Sequence, residues 1–305
     1  MKALDVVIPV YNEDVTVVRE VLADLRRGLA GREGLTVFVV DDGSDPGCGL
    51  GSLAREPGIV FLRHEKNRGY GAALKTGIRA GTAEAVAIVD ADGSYQAETL
   101  GNLAGQTDGF DLVIGARTGP HVVETRLRRT AKKLLNAYAS YLAGAAIPDL
   151  NSGMRIFTRE LAEFLWELLP DAFSFTSTTT MGALLNGFRV THVPINYRKR
   201  IGKSSFHPLK DTALFIKTLF RLGLLFAPLR AAAPFTAFLL ALGLGLWIGG
   251  DLAGQGTGGW AVFLLLAAIQ VLGVGLTAQV MAGNRRRRPG KEGAAEREAE
   301  QPRGD

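Results

Sequence analysis

"AIVDADGSYQ", residues 87–96, is the stretch on which the reading of the fold turns. An apolar run from Val86 to Val89 stops at Asp90, and one small residue later stands Asp92. Taken alone, Asp-Ala-Asp-Gly-Ser is a turn more often than a ligand site, because Asp side chains readily bond their own backbone. The rest of the chain changes that balance. Short runs rich in Val and Ile at 4–10, 35–40, 59–62, 85–89 and 111–114 are continuous rather than alternating, as in strands buried on both faces. Val17, Val18, Val21, Leu22, Leu25 and Leu29 recur at helical spacing after "NED", and Ala72 to Arg79 opens another helix. Strand–helix alternation predicts an α/β fold, a mainly parallel sheet flanked by helices with right-handed crossovers. In such sheets ligands collect at the carboxyl ends of the strands. At those ends stand "YNE" (11–13), "DDGS" (41–44), "DADGS" (90–94) and "GAR" (115–117). Like charges gathered on one rim cost stability unless a cation and a phosphate lie between them.

The 305 residues are 47% hydrophobic and 21% charged, which supports a sizeable core and argues against global disorder. One cysteine, Cys48, excludes an intrachain disulfide and a CxxC metal site. The first apolar run is too short for a signal peptide. Two later segments set the class of the protein. Ala231–Gly250 and Trp260–Gly283 carry no charge, and a bilayer-spanning helix needs about 20 apolar residues. Lys217, Arg221 and Arg230 precede the first span, Arg285 to Arg288 follow the second, and the link between them has no Lys or Arg. The positive-inside rule then predicts both flanks and the head in the cytoplasm. Leu209–Leu225 is amphipathic, with Lys210, Lys217 and Arg221 on one stripe, and is expected to lie in the interface. Gln270 and Gln279 in the second span are candidates for interhelical hydrogen bonds that would support a homo-oligomer.

Between these landmarks, 122–143, 161–169 and 178–186 read as helices, "VTHVPINYRKR" as a strand entering a basic loop, and the tail from Pro289 as disordered. Asp90 and Asp92 offer hard oxygen ligands, suited to Mg2+ or Mn2+. An EF-hand is excluded because Tyr95 stands where its glycine belongs and Gly101 where its bidentate Glu belongs. "GYGAALKTG" lacks the third dinucleotide-loop glycine, and "GKS" at 202–204 has Tyr197 at the first P-loop glycine position. His121, His192 and His207 show no ligand spacing.

"VVIPVYNE", "VVDDGSDPG", "NRGYGAALKTGIRAG", "VDADGSY" and "DLNSGMRIF" occur in the order that resembles glycosyltransferase family 2. "FSFTSTTTMGALLNGFRVTHVPINYRKRIGKSSF" and the two spans resemble its branch acting on polyprenyl or dolichyl phosphate. The resemblance implies a GT-A type fold and a nucleotide-sugar donor. It implies Pro9, Tyr11, Glu13, Asp41 and Asp42 on the donor's nucleoside side, and Asp90 and Asp92 on a divalent metal, Mg2+ or Mn2+. Arg117, Arg200 and Lys203 would meet phosphates, with Arg129, Asp149, Ser152 and Arg155 toward the acceptor. Ser94 departs from the pattern, since some relatives carry glutamine there as a further ligand.

Glycosyl transfer expels a diphosphate from an oxocarbenium-like state, so a metal with flanking Arg and Lys would neutralise the leaving charge. A hydroxyl acceptor also needs a base. Further on from "SGMR", the stretch "AFSFTSTTTM" (172–181) is rich in hydroxyls and has no carboxylate, which fits an acceptor that is already an anion. The expectation is inverting transfer of one sugar from a UDP-hexose or GDP-mannose to polyprenyl phosphate at the cytoplasmic membrane face. Rivals are a processive polysaccharide synthase, whose QxxRW box is missing, and a non-catalytic membrane scaffold. A nucleic-acid partner is not expected. The domains read as a head at 1–207, an interfacial helix at 208–227, a membrane hairpin at 228–283 and a basic tail at 284–305.

Overall fold

The computed structural model describes residues 3–119, 126–172, 174–198, 208–252 and 259–285. The chain divides into two compact units, Met1–Leu184 with Phe188–Leu219, and Leu185–Gly187 with Phe220–Asp305.

The first unit is built on seven strands: β1 Leu4–Val10, β2 Leu35–Asp41, β3 Ile59–Arg63, β4 Ala85–Ile88, β5 Leu112–Ala116, β6 Arg155–Thr158 and β7 Val190–Pro194. They form one mixed sheet in the order β3-β2-β1-β4-β6-β5-β7. β1 pairs in parallel with β2 and β4, β2 with β3, and β5 with β7. The five expected runs are strands. β6 escaped the sequence reading, because its four residues begin with Arg155 and offer too little apolar signal. It lies antiparallel to both β4 and β5. That single reversal keeps β5 parallel to β4, so the carboxyl ends of β1, β2, β4 and β5 share one rim. It also brings the amino end of β6, with the "SGMR" segment, to the same rim.

The continuous apolar runs have a simple cause. Alternate side chains leave a strand on opposite faces, and both faces here are covered. Val6, Ile8, Val39, Ala87 and Val113 pack against Val18, Leu22 and Leu25 of α1 (Val15–Gly28) and Leu100 and Leu103 of a short helix at 100–104. Val7, Val40, Val86, Ile88 and Ile114 pack on the other face. Their partners include Leu74 and Ile78 of α2 (Tyr70–Ala80). Leu161 and Leu165, from a helix at 159–165, and Phe175, from one at 175–185, join the same cluster. Asp14 caps α1 by accepting from Thr16 N at 2.8 Å. The helix expected at 122–143 is observed at Arg126–Ala143.

A further helix, Pro208–Phe226, exposes Ile216, Phe220, Leu224 and Leu225 together with Lys217 and Arg221. In the second unit, Pro228–Leu252 and Gly259–Arg285 pack antiparallel, Gly243 against Leu265 and Gly275 against Ala232. Both helices are long and apolar enough to cross a bilayer, with mean hydropathy 1.9 and 2.3. Phe235, Phe238, Trp247, Ile248, Phe263, Leu266 and Ile269 lie exposed, a surface suited to lipid rather than water.

Candidate active site

Asp90 and Asp92 follow directly on β4, and each is held by a local partner. The Tyr70 hydroxyl donates to Asp90 Oδ1 at 2.8 Å. Ser94 donates to Asp92 Oδ1 from its backbone N at 3.0 Å and from its hydroxyl. Ser94 is thus an orienting neighbour of Asp92. Gly153 presses its backbone onto Asp90, where a Cβ would collide with the carboxylate.

Asp42 is buried and heavily engaged. Its Oδ1 lies 2.6 Å from His64 Nδ1 and accepts from Arg68 N at 3.0 Å, while Oδ2 accepts from Gly69 N at 2.8 Å. His64 Nε2 lies 2.9 Å from Thr76 Oγ1 of α2. Asp41 Oδ1 accepts from Ser44 N at 2.9 Å, and its Oδ2 lies 3.4 Å from Arg63 Nε. Of the other residues expected on the nucleoside side, Pro9 lies within β1, Glu13 is buried and Tyr11 is exposed.

Of the residues expected toward the acceptor, Asp149, Ser152 and Arg155 lie in one braced network with Arg117. Arg117 Nε and Nη2 bond Asp149 at 2.7 and 2.9 Å, and its guanidinium sits 5.2 Å from the Tyr197 ring centre. Tyr197 meets Tyr95 edge-on, and the Tyr95 hydroxyl accepts from Gly153 N at 2.7 Å. Ser152 donates to Gly115 O. Arg155 has no exposed surface, and its guanidinium is engaged by internal partners. It donates to Ser152 O, to Thr176 O at 2.7 Å and to Thr180 Oγ1 at 3.1 Å. Burial lowers its pKa to about 10, which leaves it a cation at neutral pH. Arg200 and Lys203 lie outside the described residues, as do His121, His207 and the side chain of Arg129.

Sequence reasoning missed His64, Tyr70 and Tyr95. Tyr70 had a signal, an aromatic residue in the glycine-rich "NRGYG", whereas His64 follows an edge strand without any motif. The hydroxyl run at 174–180 was noticed only for lacking a base. From this run the Thr176 backbone carbonyl and, one turn on, the Thr180 hydroxyl accept from Arg155. Burial, and then the charge of Asp90, push the Tyr70 phenol well above its ordinary pKa, so it stays a donor.

Among the described residues no three or more His, Cys, Asp or Glu side chains cluster as a metal cage. Two carboxylates alone suit Mg2+ or Mn2+, which commonly take one or two protein carboxylates and fill the remaining positions from substrate phosphates and water. The donor set therefore fits such an ion.

The model of glycosyl transferase family 2 matches residues 5–166, the part of the chain that carries the sheet and this rim. The chain belongs to that family. Family members similar to it include a dolichyl-phosphate hexose transferase of Haloferax volcanii, 31% identical over 219 residues, 71% of this chain and 92% of the relative. A polyprenol monophosphomannose synthase of Mycolicibacterium smegmatis is 35% identical over 179 residues, 54% of this chain and 67% of the relative. An undecaprenyl-phosphate 4-deoxy-4-formamido-L-arabinose transferase of Salmonella paratyphi A is 27% identical over 305 residues, 92% of this chain and 88% of the relative. Glucosyl-3-phosphoglycerate synthase of Mycobacterium tuberculosis, solved with Mn2+, UDP and phosphoglyceric acid, shares the GT-A type fold. Its TM-score is 0.55 at 19% identity, over 73% of this chain and 78% of the other.

Proposed function

We propose that this family member transfers a single sugar, with inversion, from a nucleotide-sugar donor to polyprenyl phosphate at the cytoplasmic face of a membrane. The observation that carries the reading is one rim of the sheet on which Asp90 and Asp92 stand beside the "SGMR" segment and Arg117. The names of the relatives support both halves of the substrate pair, a hexose or mannose and a lipid phosphate.

In this reading Asp90 and Asp92 hold Mg2+ or Mn2+ on the donor diphosphate, and the ion supplies charge neutralisation for the departing nucleotide. Asp41, Asp42, Pro9, Tyr11 and Glu13 serve the nucleoside end, and Arg200 and Lys203 meet phosphates. Arg117, with one guanidinium edge on Asp149, presents its other edge to an anion. Arg129, Asp149, Ser152 and Arg155 serve the acceptor, the last two by shaping the backbone. The hydroxyls that line the helix at 175–185 support an anionic acceptor. Thr179 and Thr180 donate back to backbone carbonyls at 2.8 and 3.0 Å, and no carboxylate in that helix is available as a base. A lipid phosphate needs none.

The same reading gives the chain a catalytic head at 1–207, an interfacial helix at 208–227, an anchoring hairpin at 228–283 and a cytosolic tail at 284–305. The purified full chain, given a panel of UDP- and GDP-sugars with a short polyprenyl phosphate, should form one lipid-linked sugar in the presence of Mn2+. Polymer growth, or no product with any pair, overturns the proposal.

A further inference from the structure

The Tyr70–Asp90 hydrogen bond has an unusual setting, because the backbone before Tyr70 is held by the Asp42 side chain and the backbone after it by the Asp171 carbonyl. Tyr70 is the first residue of α2. Just before it, Arg68 N and Gly69 N both donate to Asp42. Gly69 has φ 105, and a Cβ there would collide with the carbonyl of Asp171, so the helix head is seated directly on that loop. Ala72 N, two residues on, donates to the same carbonyl at 3.1 Å. Further along α2, Thr76 meets His64, which in turn holds Asp42. The Tyr70 ring packs against the core cluster under this face of the sheet. A phenol with so little latitude delivers its proton to one point in space, and that point is Asp90 Oδ1.

Asp90 is confined from the other side as well. Gly153 closes on its carboxylate, and Gly153 is itself fixed by the Tyr95 hydroxyl. The carboxylate therefore sits in a slot between a phenol and a bare backbone.

We propose that Tyr70 is a positioning residue for Asp90, holding that carboxylate in the one pose from which it shares the donor-bound cation with Asp92. The inference rests on the reading of Asp90 as a metal ligand. A carboxylate already locked in its binding rotamer loses no side-chain freedom when the cation arrives. Partners that orient a ligand in this way typically change metal affinity or activity by about 10- to 100-fold when removed. Asp42 acquires a second duty, since it fixes the loop from which Tyr70 projects.

The test uses the full chain in lipid nanodiscs and reads Mn2+ binding by electron paramagnetic resonance, without turnover. Tyr70→Phe keeps the ring and removes the hydroxyl. Its Mn2+ dissociation constant should rise about tenfold. Metal-free binding of UDP or GDP should be unchanged, which also certifies the fold of the variant. Turnover should recover as Mn2+ is raised, because a positioning residue does not touch the reacting atoms. Wild-type Mn2+ affinity in Tyr70→Phe, with affinity lost in Asp90→Asn, overturns the inference alone. Wild-type affinity in Asp90→Asn overturns the metal reading and this inference with it. Turnover that stays low at saturating Mn2+ also overturns the positioning role.

Discussion

Arg117 and Asp149 form a two-point ion pair, Nε to Oδ2 at 2.7 Å and Nη2 to Oδ1 at 2.9 Å. Asp149 is wholly buried, and it also accepts from the backbone N of Arg117 at 3.0 Å. The pair ties the end of β5 to the loop that precedes "SGMR". Removing one partner leaves a buried charge uncompensated, which costs about 3–5 kcal/mol. Arg117→Ala and Asp149→Ala should each destabilise the head by about that amount, and the double variant should lose much less than the sum. Denaturant unfolding of the three variants measures the coupling, and strict additivity would remove the pair from the frame of the site. Arg117→Lys should rescue only part of the loss, because an ammonium cannot bond both carboxylate oxygens in the same planar geometry.

Gly153 gives a second, sharper expectation. A methyl group at 153 has to displace the Asp90 carboxylate, whose carbon and both oxygens it would strike. Gly153→Ala should therefore abolish metal-dependent transfer while the core, built elsewhere, stays folded. Asp92→Ala should match it in activity, with Asp92 removed rather than Asp90 displaced. Mn2+ binding and circular dichroism on both variants separate these outcomes, and an active Gly153→Ala enzyme would exclude Asp90 from the reaction.

The architecture was legible wherever one local signal repeated. Five strands announced themselves because both faces of the sheet are covered, so each run is apolar throughout. Polar residues at four strand ends pointed to a shared rim; parallel pairing puts β1, β2 and β4 there, and the two antiparallel pairings of β6 bring β5. β6 was not legible, because its strand character comes from the neighbours on either side of it. For Arg155 the motif was visible but its environment was not. Only the packing of Thr176 and Thr180 against it makes it a brace instead of an exposed contact. His64 was invisible for the same reason, as its partners lie 22 residues before it and 12 after it.

His192 on β7 predicts how the head responds to acid. Burial, reinforced by the nearby charge of Arg155, lowers its pKa from 6.5 to about 4. Its Nε2 is buried without a hydrogen-bond partner. The unfolded chain then binds a proton at higher pH than the folded one. Stability contributed by the neutral ring is complete above about pH 6.5 and is lost as the pH falls toward about 4. His192→Gln should flatten the stability curve across that window and leave it parallel to wild type above pH 7. Curves that stay parallel through the whole range would show that the ring titrates normally.

The apolar hairpin yields the last expectation. Residues 228–252 and 259–281 expose large apolar side chains along most of their length, and in the proposed function they hold the protein at lipid. The residues that the proposed function draws on run from Pro9 to Arg155 and include Arg200 and Lys203, none of them in the hairpin. Deleting 228–305 should therefore leave nucleotide and Mn2+ binding intact, because those ligands need only the sheet's rim. Transfer to a long-chain polyprenyl phosphate in vesicles should fall steeply, since the acceptor's phosphate is confined to the bilayer surface. Transfer to a short, water-soluble polyprenyl phosphate should fall much less. The ratio of the two rates isolates anchoring from catalysis. Equal losses with both acceptors would mean that the hairpin shapes the acceptor site itself, and undiminished transfer in vesicles would deny it any anchoring role.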